Sequence, residues 1–155
     1  MAIVKPIKVR AGSTYGLKSV LEYIANPAKT MDKLLVYGKD CMKENAFHQM
    51  MLTKSVYNQT TGRQYAHFVQ SFSIQDKLIP EQAFEIGRQY IERLEQFKDY
   101  QVLMAVHTNE EHLHIHYVIN SVNSKTGQKW QSTPQDIMKM RKYRTNYAEK
   151  ITCLF

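Results

Sequence analysis

Hydrophobic and polar positions change their period along the chain, and each period predicts an element. Residues 2–10 alternate around IVKPIKV, which predicts a strand. Pro6 has no N–H to give a ladder, so this strand belongs at a sheet edge or is broken there. Residues 11–14 read as a loop. Leu17, Val20, Leu21 and Ile24 recur at i, i+3, i+4 and i+7, the apolar stripe of a helix over about 15–25. Asn26-Pro27 ends it. Residues 31–40 are irregular, with a short strand at about 34–37 the most they carry. A second helix covers about 41–57, and Thr60-Thr61-Gly62-Arg63 makes a turn. QYAHFVQSFSI, residues 64–74, is rich in aromatic and β-branched residues and predicts a strand. Pro80 opens a third helix, with Ala83, Ile86, Gly87, Tyr90, Leu94 and Phe97 as its stripe. Strands follow at about 101–107 and 113–121. Their five-residue connection suits a hairpin, so they should be antiparallel neighbours. After a turn at Lys125-Thr126-Gly127-Gln128, Ser132-Thr133-Pro134 caps a last helix running to about 152.

This order predicts an α+β fold, a central antiparallel β-sheet with flanking helices. A parallel doubly wound sheet would need more crossover helices between strands. With 155 residues, the chain should form one domain with a real core. Hydrophobic residues at 43% and charged residues at 23% exclude intrinsic disorder. Gly and Pro, six and four, exclude collagen-like and low-complexity readings. No run of about 18 apolar residues exists, so membrane insertion is not expected. MAIVKPIKVR lacks the apolar centre of a secretory signal. Cys41 and Cys153 are too few for a disulfide framework and are expected as free thiols in a reducing cytoplasm.

Charge adds a partner. The net charge is +7. Residues 1–40 are net +4 and residues 125–155 net +5, while the segment between them is net −2. Two basic ends around a near-neutral centre suit either a polyanion or a solvated surface.

Four of the six histidines crowd into HTNEEHLHIH: His107, His112, His114 and His116. On a strand, His114 and His116 share a face, with Leu113 and Ile115 on the other. His107 ends the neighbouring strand, and facing residues across a hairpin lie about 5 Å apart. Three imidazoles can therefore converge. Imidazole suits Zn, Mn, Fe, Cu and Ni, and three protein ligands leave positions open for substrate. His67, in AHFVQSF, is expected beside the metal ligands or facing substrate. His112 lies in the connection, where strand parity sets no direction, and a supporting hydrogen bond suits it better than ligation.

A metal beside basic flanks points to phosphodiester chemistry. The attacking group is then an activated water or a side chain. Ten tyrosines are candidates, and composition does not choose among them. Tyr23 sits off the apolar stripe of its helix by roughly a quarter to a third of a turn, so it is not a central core residue.

HTNEEHLHIHYVIN resembles the third motif of conjugative relaxases of the Mob type, within the HUH endonucleases. The matching residues are His107, His114, His116 and the trailing Asn120. GLKSVLEYIANPAKT resembles the first motif, whose helix carries a tyrosine, and Tyr23 matches it. AHFVQSF resembles the second motif, whose serine helps to hold DNA near the nick, and Ser71 matches it. The three motifs stand in family order and span nearly the whole chain. One position departs: the family usually has Asp two residues after the first His, and here it is Asn109. Glu110 or Glu111 would have to take its part.

The resemblance implies an HUH-type fold and a DNA-strand transferase that starts plasmid or transposon mobilisation. His107, His114 and His116 would hold a divalent metal, Mn or Mg in use, with Zn, Ni or Co able to substitute. Tyr23 would attack the scissile phosphate and leave a 5′-phosphotyrosine. His112, His67, Glu111 and Asn120 would support the site. The partner would be single-stranded or melted transfer-origin DNA in a bacterial cytoplasm, joined by accessory relaxosome proteins and a coupling protein. Ser71 and the basic residues of the last helix, Lys139, Arg141, Lys142 and Arg144, would contact DNA. Relaxases commonly continue beyond this nuclease part, so residues 1–155 are expected to form one relaxase domain at the N-terminus of a longer protein. Two other readings stand. A replication-initiator or transposase nuclease would use Tyr143 or Tyr147. A non-catalytic DNA-binding module would hold its metal structurally.

Overall fold

The computed structural model describes residues 2–8 and 14–152, the side chains of 144–152 excepted. Its elements are β1 (Ile3–Ile7), α1 (Thr14–Ile24), β2 (Val36–Lys39), α2 (Ala46–Val56), β3 (Tyr65–Ser71), α3 (Pro80–Arg93), β4 (Val102–His107), β5 (His114–Asn120) and α4 (Pro134–Thr152). The strands form one sheet in the order β1-β3-β5-β4-β2, every neighbouring pair antiparallel. The expected α+β architecture is therefore what the chain adopts. Pro6 does lie on an edge strand, and β4 and β5 are the expected neighbours.

The antiparallel register lays side chains in rows across the sheet. One row on one face is Lys5, Val69, His116, Ala105 and Val36, strand by strand. The row beside it is Ile3, Ser71, His114 and His107. On the opposite face Phe68, Tyr117 and Met104 stand in line. That opposite face carries the larger core, where Ala83, Ile86, Tyr90 and Ile91 of α3 pack on Val102, Met104, Ile115, Tyr117 and Ile119. Gly87 lets α3 seat closely. A Cβ there would stand 2.8 Å from the Met104 sulfur, a separation side chains do not tolerate. The buried Tyr90 and Tyr117 hydroxyls reach the Met140 carbonyl at 2.9 Å and Gln70 Oε1 at 2.8 Å, which relieves the cost of burying them.

The histidine face is half covered. Leu17, Leu21 and Ile24 of α1, with Ala46 and Met50 of α2, bury Val36, Leu103, Ala105 and Val118 in a second core. The predicted α1 stripe is the face that packs. All six residues of β4 are consequently buried. A strand covered on both sides loses its alternation, which makes β4 read as a plain apolar run.

Three boundaries differ from the sequence reading. α2 begins at Ala46, because 42–45 form a turn in which the Met42 N–H donates to Gln49 Oε1 at 2.6 Å. β2 lies at Val36–Lys39, two residues later than expected. α3 stops at Arg93, and buried Leu94 and Phe97 belong to the following 3-10 segment. Trp130 covers the core against Phe68 and Phe97, with ring centroids 5.8 and 5.2 Å away. Burial pushes the free Cys41 thiol up to about 11, so it is a packing residue. Cys153 lies outside the described residues.

Candidate active site

The site lies where the uncovered half of the histidine face meets the end of α1. His107, the last residue of β4, is only 4% exposed. Its Nε2 lies 2.9 Å from the Ile24 carbonyl oxygen. A carbonyl can only accept, so Nε2–H donates and the neutral ring keeps its free lone pair on Nδ1. The His107 and His116 rings are 4.1 Å apart, centroid to centroid. His116 Nδ1 in turn lies 2.9 Å from Nε2 of His67, which is 8% exposed. Three imidazoles from three adjacent strands thus touch in series.

The Tyr23 ring meets this series edge-on, 5.8 Å from His107 and 6.1 Å from His116. It is half exposed, with its neighbour Ile24 fully buried. Ile24 anchors the helix end in the core, and Tyr23 is carried to the open side. The Lys29 ammonium stands 3.9 Å from the Tyr23 ring centroid, within the range of a cation–π contact.

Burial, followed by the neighbouring imidazole and lysine charges, keeps these rings neutral. His67 is held down at about 4 by burial and by His107. His116 is held down at about 3 by burial, then by His107, His67, His114 and Lys29. His107 is also lowered, chiefly by burial, against the pull of its bond to Ile24. Neutral imidazoles are nitrogen donors, the form a divalent cation requires.

His114 is near enough to act on His107 and His116 but faces a partner of its own. It pairs with His107 in the register, yet its Nδ1 faces Glu110 Oε2 at 3.6 Å. Among the described residues, no group of three histidine, cysteine, aspartate or glutamate side chains is arranged to hold a metal ion, the touching imidazoles included. The expected set of His107, His114 and His116 is therefore not assembled as it stands. His107 and His116 converge, while the third imidazole at the cluster is His67. His67 is the residue expected beside the metal ligands or facing substrate. Its bond to His116 needed the β3–β5 register.

Several supporting residues fall elsewhere. His112 and Glu111, in the connection ahead of β5, line a cavity of about 130 Å³ with Phe72, Ser73, Ile74 and Lys77, away from the touching rings. Glu110 is the acid that approaches a site histidine, so Glu111 is displaced from the expected role. Asn120 sits six residues beyond His114 at the far end of β5. It is fully buried, accepts from the Lys54 ammonium, and donates to Gln101 Oε1 at 2.9 Å and the Met50 carbonyl at 3.3 Å. Lys54 also donates to the Gln64 carbonyl at 2.7 Å and to Ser121 Oγ at 3.1 Å. Asn120 therefore organises a buried polar cluster and does not support the histidines.

Ser71 lies beside His114 on the histidine face. The last helix packs mainly elsewhere as far as its side chains are described, with Ile137 near its start lining a cavity that also takes in His67. α4 packs on α3 and on β1, and Met140 enters the larger core. Lys139, Arg141 and Lys142 are exposed there, on the opposite layer. The Arg144 side chain lies outside the described residues. The same packing takes exposed Tyr143 away from the histidines, and the Tyr147 side chain is not among those described. Among the described residues, cations on the site's side include Lys29 and Lys5, the latter in the His116 row, while Lys8 and Arg63 line a cavity with His67. Sequence reasoning missed Lys29, whose only signal was its place in NPAKT after the tyrosine helix.

Residues 23–152 match the family described as relaxase, MobA/VirD2-like, nuclease domain. The chain belongs to this family. It is 31% identical over 153 residues to the group II intron-interrupted relaxase LtrB of Lactococcus lactis, covering 81% of this chain and 27% of that protein. It is 28% identical over 141 residues to a Staphylococcus aureus protein rlx, covering 91% of this chain and 42% of that one. The chain thus spans less than half the length of these curated relatives. A solved structure from work on the molecular basis of vancomycin resistance transfer in Staphylococcus aureus shares the fold. Its TM-score is 0.68 at 13% identity, covering 97% of this chain and 92% of that chain.

Proposed function

We propose that this relaxase domain nicks one DNA strand at a transfer origin and holds the cut end covalently on Tyr23. The carrying observation is the half-exposed Tyr23 ring against His107 and His116. In the step, the Tyr23 Oη–P bond forms as the P–O3′ bond breaks. The phenol's proton goes to solvent and the 3′-oxygen takes one from water. The product is a 5′-phosphotyrosine and a free 3′-hydroxyl. The new phosphoester keeps the bond energy, so a 3′-hydroxyl can reverse the reaction and rejoin strands.

A divalent cation, Mn or Mg in use, would supply charge to the scissile phosphoryl oxygens. His107 and His116 offer the neutral donors it needs, and His114 would complete the set by leaving Glu110. His67 would set the tautomer of His116: with His67 Nε2 accepting from the His116 Nδ1–H, His116 Nε2 would be left free to ligate. Ser71 would hold a phosphate beside the nick. The substrate is single-stranded or melted origin DNA, with accessory relaxosome proteins and a coupling protein as partners and the bacterial cytoplasm as the place of action. Among the described residues no helix is long and apolar enough to cross a membrane.

Labelled single-stranded DNA spanning the transfer origin, with Mn or Mg, tests the reading. A covalent adduct on the Tyr23 peptide supports it. An adduct on Tyr143 or Tyr147 favours the replication-initiator or transposase reading. Metal-dependent binding without cleavage favours the non-catalytic module.

A further inference from the structure

We propose that Lys29 is a catalytic cation of the nicking step, its ammonium moving from the Tyr23 ring onto the non-bridging oxygens of the scissile phosphodiester. The proposal rests on the reading of Tyr23 as nucleophile. Its first support is position. Nζ stands 3.9 Å from the centre of the Tyr23 ring, and Tyr23 itself borders His107 and His116. The Lys29 charge reaches both of those imidazoles, where it disfavours protonation. Among the described residues Lys29 pairs with no carboxylate, so its charge is not already neutralised where a phosphate would arrive.

The second support is how firmly the lysine is presented. Asn26 Oδ1 accepts from the Ala28 N–H at 2.9 Å. The fully buried Thr30 donates its hydroxyl to the Asn26 carbonyl at 2.9 Å and accepts from the Lys33 N–H at 3.2 Å. The Lys29 carbonyl accepts from the Thr108 N–H at 2.9 Å, and Thr108 is the residue after His107. The chain thus ties Tyr23 and Lys29 to adjacent points at the end of β4: Ile24 to His107, and Lys29 to Thr108. A lysine serving only solubility has no need of a hydrogen-bonded loop fixed to the site strand.

The chemistry follows from charge. As Tyr23 Oη bonds to phosphorus and the 3′-oxygen departs, negative charge gathers on the phosphoryl oxygens and on the leaving oxygen. A preorganised cation there lowers the barrier and requires no reorganisation during the step. Lys29 stays protonated throughout and forms no covalent bond. The aromatic face holds the ammonium while DNA is absent, and a phosphodiester anion is the stronger partner once it is seated.

The test compares Lys29→Met and Lys29→Arg in single-turnover cleavage of single-stranded origin DNA. Affinity is measured separately in a Tyr23→Phe background, and thermal unfolding checks the fold. The expected result is a loss of about a hundredfold in cleavage rate for Lys29→Met, a change in Kd under about threefold, and recovery to within about tenfold by Lys29→Arg. Cleavage by Lys29→Met at the wild-type rate overturns the proposal. So does a loss of affinity that accounts for the whole rate loss, or an arginine variant no better than methionine. Mapping the adduct peptide separates the two readings. DNA on another tyrosine overturns both, whereas DNA on Tyr23 with Lys29→Met unimpaired overturns only the role of Lys29.

Discussion

His107 donates Nε2–H to the carbonyl of Ile24, the residue that follows Tyr23, at 2.9 Å. One hydrogen bond thus fixes the tautomer of a site histidine and the position of the tyrosine helix. The sheet and α1 cannot shift relative to each other without breaking it, and Lys29 and Thr108 repeat the tie one residue past the end of β4. His107 and Tyr23 are thus held by a strand end and by a helix buried on its other side.

Tyr23→Phe should abolish the protein–DNA adduct while changing affinity little. The ring keeps its edge contacts with both histidines and its cation, and only the attacking oxygen is lost. Gel analysis of covalent adducts, beside binding of the same oligonucleotide, checks this. An adduct surviving in the phenylalanine variant removes Tyr23 as nucleophile.

The histidines should rank by their place in the series. His116→Ala and His107→Ala should each lower nicking by at least about a hundredfold and weaken metal affinity. His67→Ala should follow, since it orients His116. His112→Ala should retain nearly full activity, because it lines the small cavity ahead of β5. Metal stoichiometry and nicking rates for the four variants decide the order. Loss of metal in His112→Ala with retention in His107→Ala would reverse the assignment.

Much of this was legible in the sequence because two periods were clean. The α1 stripe and the alternation in β5 predicted which faces pack, and therefore that Tyr23, His114 and His116 escape the main core. The rest depended on register and on which layer each helix joins. Nothing local tells that His67 reaches His116, that Asn120 serves Lys54, or that α4 takes its cations to the opposite layer. β4 is apolar on both faces, so its pattern concealed the second core.

Acid should destabilise the fold through the histidine series. His67 is held near 4 and His116 near 3 in the native state, against about 6.5 unfolded. Between those values the unfolded chain binds more protons. Stability is therefore unaffected by these groups above pH 6.5 and falls as pH drops toward 4. The slope is about 1.4 kcal/mol per pH unit for each proton taken up. Urea unfolding of the metal-free protein at pH 7, 5.5 and 4.5 measures it. His67→Gln should flatten the dependence by about one proton, and an unchanged slope would show that His67 titrates normally.

Asn120→Ala should cost stability and spare catalysis. The buried asparagine links Lys54, Gln101 and the Met50 carbonyl, and truncation takes one of three acceptors from the buried Lys54 amine and leaves a cavity beside it. The expected loss is about 2–4 kcal/mol, read from the urea midpoint. Nicking per folded molecule should match wild type. A selective loss of rate at full stability would return Asn120 to the active site.

Binding should weaken steeply with salt, and the slope tells which cations meet DNA. Neutralising a phosphate of single-stranded DNA contributes roughly −0.7 to the slope of log K against log salt. Lys5 stands in the His116 row on the site face, so Lys5→Gln should flatten the slope by about one such increment. Lys139 and Lys142 lie on α4, on the far side of the sheet. Replacing both with glutamine should leave the slope unchanged, although it removes two charges and lowers the net charge more than Lys5→Gln does. That contrast separates a contact from a general field: a field effect would make the double variant the larger of the two. A flattened slope for Lys139 and Lys142 with none for Lys5 would move the DNA path onto the last helix.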